Sequence, residues 1–273
     1  MSEYKLITFD MDGTLLNSAK KISPATLEAI KAADTAGKTV ALATGRSLPE
    51  LSEYLDEIPE IRYAVCASGG VLYDNTAKKV LFSSPLAETT VMQLLEYSKK
   101  VDVAVHILTG DAAVMEEDKV ERLEKYNMGV YKPMFQALAV KPRDIMEYYL
   151  AGRPAVAKLN YYTTGPEARE LIAAETKNIN AQCFYAETAS IEFTAPGVTK
   201  GSGIRKLSGF LGIDEGEIIA AGDSFNDVDA LRAAGLGAAM ENACNELKEL
   251  ADIIIPDNDN DGCAWLIYNY LLK

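Results

Sequence analysis

The chain is poor in the residues that most often announce a function. One histidine, one tryptophan and four cysteines occur in 273 residues. Cys66, Cys183, Cys244 and Cys263 show no C-x-x-C spacing, so neither a zinc site nor a redox pair is expected, and the thiols read as reduced. No apolar run is long enough to cross a bilayer. The start, MSEYKLITFD, lacks the basic and apolar regions of a signal peptide, so a cytoplasmic protein is expected. Positive charge is also short: 27 Lys and Arg stand against 40 Asp and Glu, a formal net charge of -13. That disfavours nucleic acid and anionic membranes as partners, which want clustered cations. It leaves room for a small phosphorylated metabolite, since a metal ion and one or two local cations reverse the field within a pocket.

What is present is a globular composition, 48% hydrophobic and 25% charged. The first 83 residues alternate strand and helix: YKLITF, then a helix opened by Ser23 and Pro24 and closed at Gly37, then TVALAT, a helix over SLPELSEYLDEI, YAVCAS, and a hairpin turning near Asp74-Asn75. The rhythm returns from residue 195 to 273 with EIIAAG, LGAAM and DIIIP between helices, the last of them over AWLIYNYLL. Strands apolar throughout and separated by helices predict an α/β fold, a Rossmann-like parallel sheet covered on both faces. Between them, residues 84–194 are richer in Tyr, Glu and Lys. VAVHIL, AAVME, AVAKLNYY and CFYAETASIEFTA read as strands of a mostly antiparallel sheet, with helices over ETTVMQLLEYSKK and PEARELIAAETKN. The expected layout is a discontinuous core, 1–83 and 195–273, interrupted by an α+β module at 84–194.

Ligands of open parallel sheets bind beyond the carboxyl ends of the strands. Four polar segments fall there: Asp10-Met11-Asp12-Gly13-Thr14, Thr44-Gly45-Arg46, Ser68-Gly69-Gly70, and Gly222-Asp223-Ser224-Phe225-Asn226-Asp227, with Lys200 opening a helix in GVTKGSG. Carboxylates one residue apart, such as Asp10 and Asp12, repel and resist burial. A shared divalent cation reconciles them, and Mg²⁺ needs only one or two carboxylates besides water and substrate phosphate. Each cluster alone reads equally well as an acidic turn or a helix cap; the combination is what argues for chemistry.

DMDGTLL, TGR, GVTKG and GDSFNDVDAL, in that order, resemble the four motifs of the haloacid dehalogenase superfamily. The large insert resembles the C2-type cap of its Cof-like sugar-phosphate phosphatases, a cap that closes over substrate and determines specificity. The resemblance implies a Mg²⁺-dependent phosphatase working through an aspartyl-phosphate. Asp10 is then the nucleophile and Asp12 the general acid and base. Asp10, Asp12 (by its carbonyl), Asp223 and Asp227 serve the metal. Thr44, Gly45, Arg46, Lys200 and Asn226 serve the phosphate, with Arg46 equally readable as a structural ion-pair partner. Relatives often carry Asn-Gly where this chain has Ser68-Gly69. A phosphomutase of the phosphomannomutase type and a non-catalytic sugar-phosphate sensor are the rival readings, and either a monomer or a homodimer fits. Asp257 to Gly262, DNDNDG, begins like a calcium loop but lacks the closing glutamate, so it reads as a polar loop before the last helix. His106, in an apolar strand, reads as a packed residue.

Overall fold

A computed structural model describes residues 3–185 and 188–273. Its strands in chain order are β1 (Leu6–Phe9), β2 (Thr39–Ala43), β3 (Ile61–Cys66), β4 (Val71–Asp74), β5 (Lys79–Ser83), β6 (Val103–Leu108), β7 (Ala113–Met115), β8 (Lys158–Thr163), β9 (Gln182–Phe184), β10 (Ser190–Thr194), β11 (Ile218–Gly222), β12 (Leu236–Met240) and β13 (Ile253–Ile255). The chain forms two units. The first comprises Met1–Gly45, Glu53–Phe82 and Thr199–Lys273; the second comprises Arg46–Ser52 and Ser83–Val198.

The first unit is a Rossmann-like α/β layer structure. Its eight-stranded sheet runs β13-β12-β11-β1-β2-β3-β4-β5. β13 through β3 are mutually parallel, and β4 returns antiparallel to β3. Every residue of β1 is buried, which its unbroken Leu-Ile-Thr-Phe pattern requires of a central strand covered on both faces. Local signals act as expected in the helix Pro24–Thr35: Ser23 Oγ accepts from the Thr26 N–H at 3.2 Å and Pro24 takes the first turn. The helix expected over 47–58 is instead a 3₁₀ turn, Pro49–Leu51, followed by Ser52–Glu57. Pro49 takes the first position of that turn, where its missing N–H is not needed. Glu50 then folds back to accept from Ser47 N–H at 2.6 Å and Ser47 Oγ at 2.7 Å.

The second unit is built on an antiparallel sheet ordered β7-β6-β8-β10-β9. Val105, Ile107, Leu159, Tyr161, Ile191 and Phe193 share one face, in an apolar cluster with Leu94 and Leu95 of the helix Glu88–Ser98. The other face is mixed: Ala104 and Tyr162 join a second apolar cluster with Met115 and Phe135, while Lys158 and Glu192 pair at 2.8 Å although both are almost wholly buried. Two expectations change here. The stretch expected as one strand over 183–195 is two antiparallel strands, β9 and β10; residues 186 and 187 between them lie outside the described residues. Residues 117–152, to which sequence reading assigns no element, hold three short α-helices, Glu117–Glu121, Lys132–Leu138 and Ile145–Gly152. Start signals are sparse: Asp144, whose carboxylate accepts from the Glu147 N–H at 2.8 Å, and Pro133 in the first turn of its helix. Among the described residues no helix is long and apolar enough to cross a membrane.

Candidate active site

β1 delivers the first acidic motif to the middle of the core sheet. Its backbone continues the sheet by one more bond, Asp10 N–H to the Ala221 carbonyl at 3.0 Å, and then coils. Leu15 N–H turns back to the Asp10 carbonyl at 3.2 Å and Leu16 N–H to Met11 at 2.8 Å. Met11 and Leu16 are buried and hold this coil from below, while Asp10, only 7% exposed, lies at the strand end. Gly13 is required by what lies opposite it. Its φ is +87°, and a β-carbon there would stand 2.5 Å from Asp223 Oδ2. Asp223 is further held by Thr14, whose hydroxyl donates to Oδ1 at 2.8 Å.

Lys200 comes from the far part of the chain. Thr199 and Ser202 form a reciprocal cap on the helix Lys200–Leu211, which fixes the direction of its first turn. Gly201 admits the Asp229 carbonyl, which a β-carbon would meet at 2.1 Å, so the helix packs close against the helix Val228–Arg232 that follows Asp227. The Lys200 ammonium, fully buried, donates to Asp10 Oδ1 at 2.7 Å and Asp227 Oδ1 at 2.6 Å. Asp227 Oδ2 accepts from the N–H groups of Asp223 and Ser224 at 3.1 and 3.0 Å. Both Asp227 oxygens are therefore engaged in holding Lys200 and its own loop.

Oxygens of Asp10, Asp223 and Asp227 all lie within 4.8 Å of one another. One ammonium among three carboxylates leaves a surplus of negative charge in a buried place. Burial pushes the Asp10 carboxyl well above its ordinary range, although Lys200 opposes the shift. Burial, reinforced by Asp227, pushes Asp223 up to about 7. Burial would lower the Lys200 ammonium, but Asp10 and Asp227 outweigh it and hold the pKa above its usual value. An all-oxygen donor set that cannot comfortably ionise by itself fits a hard divalent cation of the Mg²⁺ kind.

The other residues named from sequence fall as follows. Thr44 follows β2, the neighbour of β1, and is buried; its N–H donates to the Val65 carbonyl at 2.8 Å and its carbonyl accepts from Ser68 N–H at 2.9 Å. Gly45 follows at the end of the first unit's opening segment, while Arg46 belongs to the second unit and donates to the Glu50 carbonyl at 3.3 Å. Asn226 accepts from Ser224 Oγ at 2.7 Å, which ties the loop to itself. The Asp12 carboxylate is not part of the acidic trio and pairs with Lys20 at 2.7 Å. Sequence reading assigned no role to Thr14, although it stands in the first motif, and none to Lys20, which no local pattern marks.

Residues 7–267 match the family of haloacid dehalogenase-like hydrolases. The chain belongs to that family. It is 27% identical to the pyridoxal phosphate phosphatase YbhA of Escherichia coli over 273 residues, covering 98% of this chain and 99% of that protein. It is 28% identical to the 5-amino-6-(5-phospho-D-ribitylamino)uracil phosphatase YwtE of Bacillus subtilis, covering 96% of each. Among solved structures, a haloacid dehalogenase-like hydrolase from Bacteroides thetaiotaomicron superposes with a TM-score of 0.83 at 26% identity, covering 97% of this chain and 99% of that one. This haloacid dehalogenase-like hydrolase is a Cof-like phosphoric monoester hydrolase, and its reaction is phosphoryl transfer from a phosphate monoester to water. The geometry suits that reaction, which asks for a nucleophile, charge neutralisation and positioning more than for elaborate covalent chemistry.

Proposed function

We propose that the chain is a Mg²⁺-dependent phosphatase of small phosphate monoesters, sugar and sugar-alcohol phosphates foremost, acting through an aspartyl-phosphate on Asp10. The observation that carries this reading is the Asp10 carboxylate held at 2.7 Å by a buried lysine, beside Asp223 and Asp227. Asp10 attacks phosphorus, a bond forms between its carboxylate oxygen and the phosphoryl group, and the ester bond to the alcohol breaks. Asp12 gives its proton to the departing alkoxide and then takes one from the water that cleaves the acyl phosphate, so that Asp10, phosphate and the alcohol are restored. Lys200 neutralises the phosphoryl oxygens and holds Asp10 in line. Thr44 supplies a hydroxyl donor at the end of the neighbouring strand. Asp10 and Asp223, with the Asp12 carbonyl, hold Mg²⁺, which lets an anionic nucleophile approach an anionic phosphate. Asp227 positions Lys200 and the 222–227 loop. In this reading the second unit, 84–194 by sequence, selects among esters. Four free cysteines suit the reducing cytoplasm as its place of work.

A phosphate-release screen over sugar, sugar-alcohol and cofactor monophosphates, with and without Mg²⁺, tests this. Asp10→Asn is expected to abolish turnover and chelation to suppress it. Normal rates in Asp10→Asn, with deamidation excluded by mass, refute the nucleophile.

A further inference from the structure

The acidic loop at 257–261 and the turn that follows the first motif are joined in a way no local pattern announces. Asp12 Oδ1 accepts from Lys20 Nζ at 2.7 Å. Lys20 sits in a built turn. Its φ is +57°, a conformation that residues with a β-carbon rarely adopt unless their surroundings hold them there. Lys20 N–H donates to the Asn17 carbonyl and Asn17 N–H to the Lys21 carbonyl, both at 2.9 Å. The Asn17 side chain accepts from Ala19 and Lys21 N–H at 3.0 Å each. Tyr54 OH donates to the Lys20 carbonyl at 3.3 Å.

The 257–261 loop grips this turn from outside. Asp259 accepts from Ser18 N–H at 2.8 Å and Ser18 Oγ at 2.6 Å. Asn258 Nδ2 donates to the Leu16 carbonyl at 2.8 Å, and Ser23 Oγ donates to Asp261 at 2.5 Å. Asp257 accepts from Asp259 N–H at 2.9 Å and from Asn260 Nδ2 at 2.8 Å. Asn242, which accepts from Asn258 N–H at 3.3 Å, donates to the Gly13 carbonyl, one residue past Asp12, at 2.8 Å. The Asp259 and Asp261 carboxylates therefore accept from the segment that follows the first motif, while Asp257 accepts from within its own loop.

We propose that Lys20 is the positioning residue that fixes the orientation of the Asp12 carboxyl, and that the 257–261 loop is the brace that holds Lys20 in place. The idea rests on the phosphatase reading above and adds to it a reason for the acidic loop. Its consequence is selective. An Asp12 carboxyl that has lost the Lys20 contact is displaced from the leaving oxygen, so esters whose leaving group must be protonated suffer, while esters with a stable leaving anion do not.

The test compares glycerol phosphate with dinitrophenyl phosphate on the Mg²⁺-loaded full chain, reading the first turnover so that aspartyl-phosphate formation is seen alone. Lys20→Met is expected to slow glycerol phosphate by about ten- to a hundredfold, part of the usual general-acid contribution, and to change the dinitrophenolate burst by less than about twofold. Lys20→Arg is expected to recover most of the loss. Asp259→Ala, remote from the reacting atoms, is expected to show the same selectivity at about threefold. An equal loss on both esters, or none on either, overturns the role of Lys20 while leaving the phosphatase reading intact. An Asp259→Ala protein indistinguishable from wild type overturns the brace. A wild-type chain that turns over neither ester overturns the phosphatase reading and this proposal with it.

Discussion

Gly13→Ala puts the geometry of the acidic trio to a quantitative test. The new β-carbon falls 2.5 Å from Asp223 Oδ2, 2.8 Å from its Cγ and 3.0 Å from Oδ1. Ordinary carbon contacts begin near 3.5 Å, so the Asp223 carboxylate must retreat by about 1 Å. Rotating away breaks the hydrogen bond from Thr14 to Oδ1 at 2.8 Å. A displacement of that size in a metal- and phosphate-positioning group is worth about a hundredfold in rate. The φ of +87° adds backbone strain of about 1–2 kcal/mol. Gly37→Ala separates the two effects: φ there is +73°, yet nothing lies within 4 Å of the added carbon. Gly37→Ala should lower the melting temperature by about 2–4 °C and leave turnover alone. Gly13→Ala should lower the melting temperature at least as much, slow phosphate release about a hundredfold and weaken Mg²⁺ binding measured by calorimetry. A Gly13→Ala protein within twofold of wild type and with unchanged Mg²⁺ affinity would refute the reasoning, as would equal inactivation by both substitutions.

Two further outcomes follow from burial and charge. His106, 1% exposed, is held neutral by burial, its pKa lowered from 6.5 to about 4 against the opposing pull of Glu50 at 3.8 Å. The unfolded chain takes up this proton between those values and the folded chain does not, so stability is full above about pH 6.5 and falls as pH drops toward 4, by at most about 1.4 kcal/mol per pH unit. His106→Gln should flatten that part of the urea-denaturation profile relative to wild type; an identical slope refutes the assignment. Saturating Mg²⁺ should raise the melting temperature, by an amount corresponding to about 2.7 kcal/mol at a hundred times its dissociation constant, and Asp223→Asn should abolish the shift. An unchanged shift in Asp223→Asn places the ion elsewhere.

Much of the core was readable because its signals are local. Ser23-Pro24 opens its helix by bonds within three residues, and the all-apolar runs of β1 and β11 already require a doubly covered sheet. The short helices between 117 and 152 were not readable, since five to eight residues are too few to display a helical period. β9 and β10 read as one strand because their pairing is a contact between residues distant along the chain, Glu192 with Phe184 for example.

Residue order settles which chemical groups stand at strand ends: carboxylates after β1 and β11, a hydroxyl after β2, and a lysine at the mouth of a helix. Residue type and alternation are properties of neighbours along the chain, and they survive without coordinates. Tertiary structure alone decided how those groups are charged and held. Thr14 meets Asp223 across 209 residues, and Ser18 meets Asp259 across 241. Asp223 reaches a pKa of about 7 only because folding removes water from it and sets Asp227 beside it. Desolvation and long-range Coulomb forces act through space, and no stretch of sequence records the distances on which they depend.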